Sequence, residues 1–118
     1  MQKRKPKPKA SKQQNVDLIA MYLQAENIQV EREYKFLPNR RFKFDIVIKD
    51  KPIAIEYEGG IYTGGSHIRP VRYSSDCEKY RLAVFAGWKV LRYTVADIQR
   101  IGIGGIVNEI KELIKKEL

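Results

Sequence analysis

Two stretches of alternating side chains in the middle of the sequence constrain the fold more than any other feature. Residues 41–48 and 53–58 alternate polar with apolar side chains, apart from an apolar run at residues 46–48. Side chains on a strand point to opposite faces with a period of two, so both stretches are predicted to be strands. The polar segment between them, residues 49–52, is typical of a turn, and the whole is predicted to be an antiparallel hairpin.

The apolar residues fix the register of this hairpin. With the tip at residues 50–51, Ile48 faces Ile53 and Ile46 faces Ile55, so the two numbers in each pair add up to 101. A slip of one residue would place acidic side chains against apolar ones. The alternation also predicts which apolar side chains share a face: Phe42, Phe44, Ile46 and Ile48 on the first strand, and Ile53, Ile55 and Tyr57 on the second.

The same register gathers acidic side chains on one patch of the hairpin. Asp45 faces Glu56, and Glu58 lies two residues further along the same face. Like charges opposite one another destabilise a sheet, so a compensating cation is expected. Mg²⁺ prefers one or two carboxylates together with waters and substrate phosphates. The three acids therefore predict a Mg²⁺ site, in which Mn²⁺ is expected to substitute.

Further segments are predicted from their periodicity and their turn residues. Helices are predicted over residues 12–26, 76–86 and 105–117, strands over 28–36 and 88–94, and a short helical turn over 95–100. Ser75 and Glu78 fit a capping box at the start of the middle helix, and Gly87 is suited to end it. In the first strand, Tyr34 and Phe36 are predicted to continue the apolar face that begins at Ile28.

The acids belong to an ordered series of motifs that carries a family resemblance. Asp45, ten further residues and then Glu56-x-Glu58 resemble the PD-(D/E)xK nuclease superfamily. The series continues with Thr-Gly-Gly-x-His at 63–67, Asp-Cys-Glu-Lys-Tyr at 76–80 and Gly-Trp-x-Val-Leu-Arg at 87–92. Over residues 29–94 the chain resembles a group of small single-domain endonucleases from phages and prophages.

The resemblance implies an α/β fold with a restriction-endonuclease-like core, in the order α-β-β-β-α-β-α around a mixed central sheet. It implies that Asp45 and Glu56 bind the metal, and the backbone carbonyl of Tyr57 is a further candidate ligand. The third position of the motif is usually lysine but here is Glu58, which leaves open the group that activates the water. Lys79 resembles a lysine that has moved to the next helix in some members, and a solvent-facing lysine is the equal alternative.

A long segment with four glycines follows the second hairpin strand. Residues 59–75 are predicted to be a loop, and loops longer than about 12 residues are often functional. The only histidine, His67, lies there, and it is a candidate for water activation or phosphate contact, with an inert loop histidine as the alternative. Basic side chains near the acids are candidate nucleic-acid ligands, with solvated surface as the alternative: Arg40, Arg41, Lys43, Arg69 and Arg72.

The charge and length of the chain limit the kinds of partner and the number of domains that it can have. The 118 residues carry a formal charge of +9, and six of the positive charges lie within residues 1–12. Residues 1–11 are predicted to be a disordered basic tail, which either binds phosphates or serves only to keep the chain in solution. Residues 12–118 are predicted to form a single nuclease-like domain. No apolar run reaches about 18 residues, so no membrane-spanning helix is predicted.

The acidic patch, together with the family resemblance, implies a metal-dependent endonuclease that hydrolyses DNA phosphodiester bonds. Two alternatives stay open: a non-catalytic nucleic-acid-binding module of the same fold, which the missing motif lysine favours, and a nuclease that acts on RNA. The single cysteine suits a reducing, cytoplasmic compartment. A homodimer is also left open, because single-domain nucleases that cut both strands often act as dimers.

Overall fold

The computed structural model describes residues 12–59 and 70–117. Within them the elements are, in chain order, α1 (Lys12–Ala25), β1 (Val30–Lys35), β2 (Lys43–Ile48), β3 (Ile53–Tyr57), α2 (Pro70–Phe85), β4 (Lys89–Tyr93) and α3 (Val95–Lys116). This order of elements confirms the predicted α/β fold. The predicted basic tail and the central part of the predicted loop lie outside the described residues. No helix in the described ranges is long and apolar enough to cross a membrane.

The sheet is mixed, with the strand order β1-β2-β3-β4. The first three strands form an antiparallel meander, and β4 runs parallel to β3 because α2 provides the crossover between them. The hairpin has the register that the sequence predicts, since Ile46 pairs with Ile55 and Val47 pairs with Ala54. The prediction of residue numbers that add up to 101 is therefore confirmed.

Apolar side chains cover both faces of the sheet. On one face α1 and α3 pack against the strands through a cluster that includes Val16, Ile19, Leu23, Ile46, Ile55, Ile106 and Ile110. On the other face α2 and the end of β1 pack through Phe44, Val47, Ala54, Ala83, Tyr34, Phe36, Trp88 and Val90. Burial on both faces makes β3 a fully enclosed central strand, in which every residue is buried.

Along β1 and β2, three aromatic side chains lie on the opposite face of the sheet from the one predicted. Phe44 does not share the face of Ile46, since it packs against α2 and stacks on Phe36 with ring centroids 4.2 Å apart. Tyr34 and Phe36 change face in the same way. The change occurs at Glu33, where φ is 50°, and at Asp45 opposite it. A left-handed residue interrupts the pleat of a strand, so the side chains beyond it point to the other face.

The start of α2 also differs from the prediction. The helix begins at Pro70, so Ser75 lies inside it and the predicted capping box of Ser75 and Glu78 is wrong. Proline suits the first turn of a helix because its φ is already helical and its missing N–H has no intrahelical partner there. The predicted stop is confirmed, because Gly87 follows the helix with a φ of 87°.

The C-terminal helical region consists of two pieces, as the sequence predicts, and the break between them lies at Gly102. α3 runs from Val95 to Lys116, with one kink at Gly102, where φ is 71° and ψ is 171°. Thr94 caps its N-terminus in a capping box with Asp97. The backbone N–H of Thr94 binds the Asp97 carboxylate and holds the pKa of that carboxyl below its ordinary value.

Candidate functional site

The strands β2 and β3 separate at the end away from their turn, and two acidic side chains bridge them there. Beyond the pair of Ile46 and Ile55, the backbone N–H of Asp45 donates to Oε2 of Glu56 at 3.1 Å. In return, the backbone N–H of Tyr57 donates to Oδ2 of Asp45 at 2.8 Å. Each carboxylate is thus fixed by the backbone of the opposite strand, which links the two acids across the hairpin, although Asp45 and Glu56 do not form the direct strand pair that the sequence predicts.

Glu56 is a buried carboxylate with two donors from α2. The residue is only 5% exposed, the ammonium of Lys79 pairs with Oε1, and the hydroxyl of Tyr80 donates to the same oxygen at 3.0 Å. Burial raises the pKa of Glu56, and the nearby charge of Asp45 adds to the rise. Lys79 opposes both effects, and the backbone N–H of Asp45 adds to its action, so these two groups favour the ionised carboxylate.

Lys79 is not a solvent-facing helix lysine, which is one of the two alternatives from the sequence. Its side chain is 13% exposed. The ammonium lies 5.5 Å from the centre of the Phe44 ring and 5.4 Å from that of Tyr80. Aromatic faces of this kind favour a partly desolvated cation. The helix α2 therefore delivers a positive charge to the acid pair.

Glu58 follows β3 and joins the same network through Tyr80. The Tyr80 hydroxyl lies 3.2 Å from Oε1 of Glu58 as well as 3.0 Å from Glu56, so this one group links two carboxylates. Burial and the charges of both acids raise the pKa of Tyr80 well above its ordinary value, so the hydroxyl stays protonated as a donor. Arg92 of β4 completes the contacts, because its Nε donates to Oε1 of Glu58 at 2.7 Å.

The three predicted acids do not assemble around one point. Each pairs with a basic side chain of a different element: Asp45 with Lys12 of α1 at 3.7 Å, Glu56 with Lys79 of α2, and Glu58 with Arg92 of β4. In the described parts of the chain, no three His, Cys, Asp or Glu side chains are arranged to hold a metal ion. The interrupted pleat at Asp45 explains this, since it leaves Asp45 beside α1 while Glu56 and Glu58 contact α2.

The pair of Asp45 and Glu56 nevertheless fits the donor chemistry of Mg²⁺. The ion takes hard oxygen ligands and uses one or two carboxylates, leaving its other positions to water and phosphate. Two adjacent carboxylates held by backbone N–H groups meet this requirement. The backbone carbonyl of Tyr57 as a ligand stays a prediction, and the Tyr57 side chain is buried, with its hydroxyl accepting from Asn15 at 3.2 Å.

The basic residues predicted to contact nucleic acid have different surroundings. Arg40 pairs with Glu78 of α2, and its guanidinium lies 4.7 Å from the centre of the Phe42 ring. The others that the structure describes, Arg41, Lys43 and Arg72, are exposed. His67 and Arg69 lie outside the described residues. Contact of these side chains with phosphate remains a prediction.

Sequence reasoning missed Tyr80, Arg92 and Lys12 as members of the site. The helical pattern places Tyr80 on the apolar surface of its helix, although its position beside Lys79 in the Asp-Cys-Glu-Lys-Tyr motif is a usable signal. Arg92 is the direct parallel neighbour of Glu56, which only the register of β4 reveals. Lys12 reaches Asp45 because α1 begins at this end of the sheet.

Comparison with known proteins supports the fold. No protein-family model matches the chain, and no curated protein matches it. One solved structure, the catalytic domain of the homing endonuclease I-Bth0305I, superposes with a TM-score of 0.57 at 17% sequence identity. The match covers 92% of this chain and 93% of that one. At this level of identity the likeness shows a common fold, which extends over nearly all of both chains.

Proposed function

We propose that the chain is a metal-dependent endonuclease that hydrolyses DNA phosphodiester bonds. The observation that carries the proposal is the pair of Asp45 and Glu56, which bridge the separated ends of two strands beside a largely buried lysine. A buried acid that needs a specific cationic partner is typical of a functional site. The similarity in fold to a homing endonuclease catalytic domain supports the same class of reaction.

In this proposal Asp45 and Glu56 hold Mg²⁺ or Mn²⁺, with the Tyr57 carbonyl as a further ligand. The ion, when bound, supplies Lewis-acid chemistry and lowers the pKa of bound water. Glu58 lies next to the pair through the shared Tyr80 hydroxyl, so it is the proposed group that orients the attacking water. Its carboxylate also accepts the proton that the water loses.

Lys79 has two proposed tasks. It keeps Glu56 ionised in a buried position, where a protonated acid would be a poor metal ligand. It also provides a positive charge in a site of low exposure, where stabilisation of the extra negative charge on the reacting phosphate is strongest. His67 is proposed as an alternative source of this charge.

The proposed nucleic-acid surface consists of the basic side chains predicted from the sequence: Arg40, Arg41, Lys43, Arg69 and Arg72. Phosphate contacts of this kind position the substrate without reading its sequence. The net charge of +9 favours a polyanionic partner.

A non-catalytic nucleic-acid-binding module is the rival, and one observation favours it. All three acids have a basic partner within the protein, so the site is neutralised without a metal. The two functions differ in one measurable property, since only the nuclease cuts the strand to which it binds.

The test is a cleavage assay with supercoiled, branched and single-stranded DNA in Mg²⁺, in Mn²⁺ and in EDTA. We expect strand cleavage with either metal, none in EDTA, and none by Asp45→Asn in any buffer. Asp50→Asn is the matched control, because Asp50 is exposed at the tip of the same hairpin and the change removes the same charge. A folded wild-type protein that binds DNA but cuts none of these substrates would establish the rival.

A further inference from the structure

Lys12 is the positively charged side chain that faces Asp45. It is the first residue of α1, and its ammonium lies 3.7 Å from Oδ1 of Asp45. The other oxygen, Oδ2, accepts a hydrogen bond from the backbone N–H of Tyr57 at 2.8 Å. Oδ1 is therefore the Asp45 oxygen with more capacity to bind a cation, and the cation beside it in this structure is the Lys12 ammonium.

The stem of Lys12 is packed, whereas its ammonium is held loosely. The stem lies along the backbone of Gly59, where an added Cβ would be 3.6, 3.8 and 4.0 Å from the Cβ, Cγ and Cδ of Lys12. The Lys12 side chain is 56% exposed, and its separation of 3.7 Å from Asp45 is too long for a hydrogen bond. Exposed ion pairs of this kind are weak. The stem thus keeps the ammonium at the site, and the contact with Asp45 is easily broken.

A divalent cation at the acid pair would change the best partner for Lys12. Asp45 and Glu56 are the proposed metal ligands, and the Lys12 ammonium lies within 4 Å of the first of them. A divalent ion on Asp45 and this ammonium repel each other at such short range. Mg²⁺ also binds substrate phosphates, which bring negative charge to the same place. Lysine binds phosphate as a point charge, so the exposed ammonium is suited to take this second partner.

We propose that Lys12 exchanges partners: it pairs with Asp45 in the metal-free protein and binds a backbone phosphate of the nucleic acid once a divalent cation occupies Asp45 and Glu56. This inference rests on the proposed nuclease function and involves only the two acids that are assigned to the metal. Lys12 and the metal compete for Asp45 in the absence of nucleic acid, and they act together in its presence. Such coupling is reciprocal, so the metal strengthens DNA binding through Lys12 by the same factor by which DNA strengthens metal binding.

Calorimetry without DNA tests the competition for Asp45. Lys12→Gln is expected to bind Mn²⁺ and Ca²⁺ about threefold more tightly than wild type, because an ion pair of the strength usual for exposed groups has been removed. Lys115→Gln is the matched control, since Lys115 is exposed and lies 3.6 Å from Glu112, at almost the same distance. It should have wild-type affinity for both ions. Lys12→Arg keeps the charge, so it should bind both ions about as tightly as wild type.

Fluorescence anisotropy with a labelled duplex tests the second partner. In Ca²⁺, under conditions without cleavage, Lys12→Gln is expected to bind DNA about fivefold more weakly, and the slope of log K against log salt should fall by about one. In EDTA, where Lys12 is paired with Asp45, the substitution should change neither quantity by a comparable amount. Lys115→Gln should behave like wild type in both buffers. The dependence on the metal separates the exchange from a simple loss of positive charge, which would act equally in Ca²⁺ and in EDTA.

Two results would overturn the exchange and leave the nuclease proposal standing, in a protein whose wild type cuts DNA with Mg²⁺. One is binding of Mn²⁺ by Lys12→Gln that is unchanged or weaker, since damage to the site would weaken the binding of both Mn²⁺ and DNA. The other is an equal loss of DNA affinity in Ca²⁺ and in EDTA. Failure of the wild type to bind Mn²⁺, with or without DNA, overturns both proposals.

Discussion

The ion pair of Glu56 and Lys79 is the residue-scale feature on which the site depends. Both side chains are largely buried, at 7% and 13% exposure, so each is costly without the other. Burial raises the pKa of Glu56. A carboxyl whose folded pKa exceeds its unfolded value stabilises the fold most when protonated, and this contribution is lost as pH rises from about 4–5 through the raised folded pKa.

Lys79→Met is expected to destabilise the protein by about 3 kcal/mol at pH 8 and by less at pH 5. The pH dependence arises because the uncompensated Glu56 takes up a proton in acid. Urea unfolding at the two pH values measures the effect. The double variant Lys79→Met/Glu56→Gln has no buried charge at this position, so it should recover stability and lose the pH dependence. Equal destabilisation at both pH values would contradict the burial of an ionised Glu56.

Tyr80→Phe is expected to lower the metal-dependent cleavage rate by about tenfold with little change in fold stability. The hydroxyl is the donor that Glu56 and Glu58 share, at 3.0 and 3.2 Å, so its loss frees both carboxylates to reorient. Single-turnover cleavage measures the rate, and far-ultraviolet circular dichroism checks the fold. Tyr73→Phe is a suitable control, because Tyr73 is 61% exposed on the same helix. Equal rates for wild type and Tyr80→Phe would exclude a role for the hydroxyl.

At the scale of elements, the kink in α3 assigns different roles to two nearby glycines. Gly102 has a φ of 71°, where an added Cβ would meet no atom within 4 Å, so alanine there has only a backbone cost. Gly102→Ala is expected to destabilise the fold by about 1 kcal/mol. Gly104 has equally open surroundings and no positive φ, so Gly104→Ala should stabilise by about 0.5–1 kcal/mol. Thermal unfolding distinguishes the signs, and the same sign for both would contradict the kink.

The glycine pair also illustrates what the sequence predicts at this scale. The separate helical patterns predicted over 95–100 and 105–117 correctly indicate a break, but they do not tell which glycine between them takes the positive φ. Likewise, the alternation predicts the β2–β3 register because a slip would expose apolar side chains. It misses the change of face at Glu33, because a glutamate with a positive φ leaves no signature in composition.

The same contrast holds for the site. Asp45 and Glu56 are predictable since neighbouring strands of one hairpin bring them together. Tyr80 and Arg92 come from elements that are distant in sequence, and their contact with the acids depends on where α2 packs and on the parallel register of β4. Local patterns determine neither of these. The early start of α2 at Pro70 escapes prediction for a similar reason, because the glycines before it favour a loop.

For the whole molecule, the unequal distribution of charge bears on how substrate is held. α1 begins at the site. There the Lys12 ammonium lies 3.7 Å from the Asp45 carboxylate, and a Cβ added to Gly59 would lie 3.6 Å from the Cβ of Lys12. The basic residues that precede Lys12 are therefore joined to the chain at the edge of the acid pair. A nucleic acid held at the acid pair would lie close to Lys12, from which this basic segment continues, and this favours the phosphate-binding role of the tail over a purely solubilising one.

Replacement of Lys3, Arg4, Lys5, Lys7 and Lys9 by glutamine is expected to raise KM for DNA cleavage and leave kcat unchanged. The slope of log K against log salt should fall by about 0.9 for every phosphate that the variant no longer neutralises. Cleavage kinetics at several salt concentrations provide both quantities. The control replaces Lys111, Lys115 and Lys116 near the C-terminal end of α3, which lie far in sequence from both the acids and the tail. An unchanged slope in the tail variant would assign the tail to solubility alone.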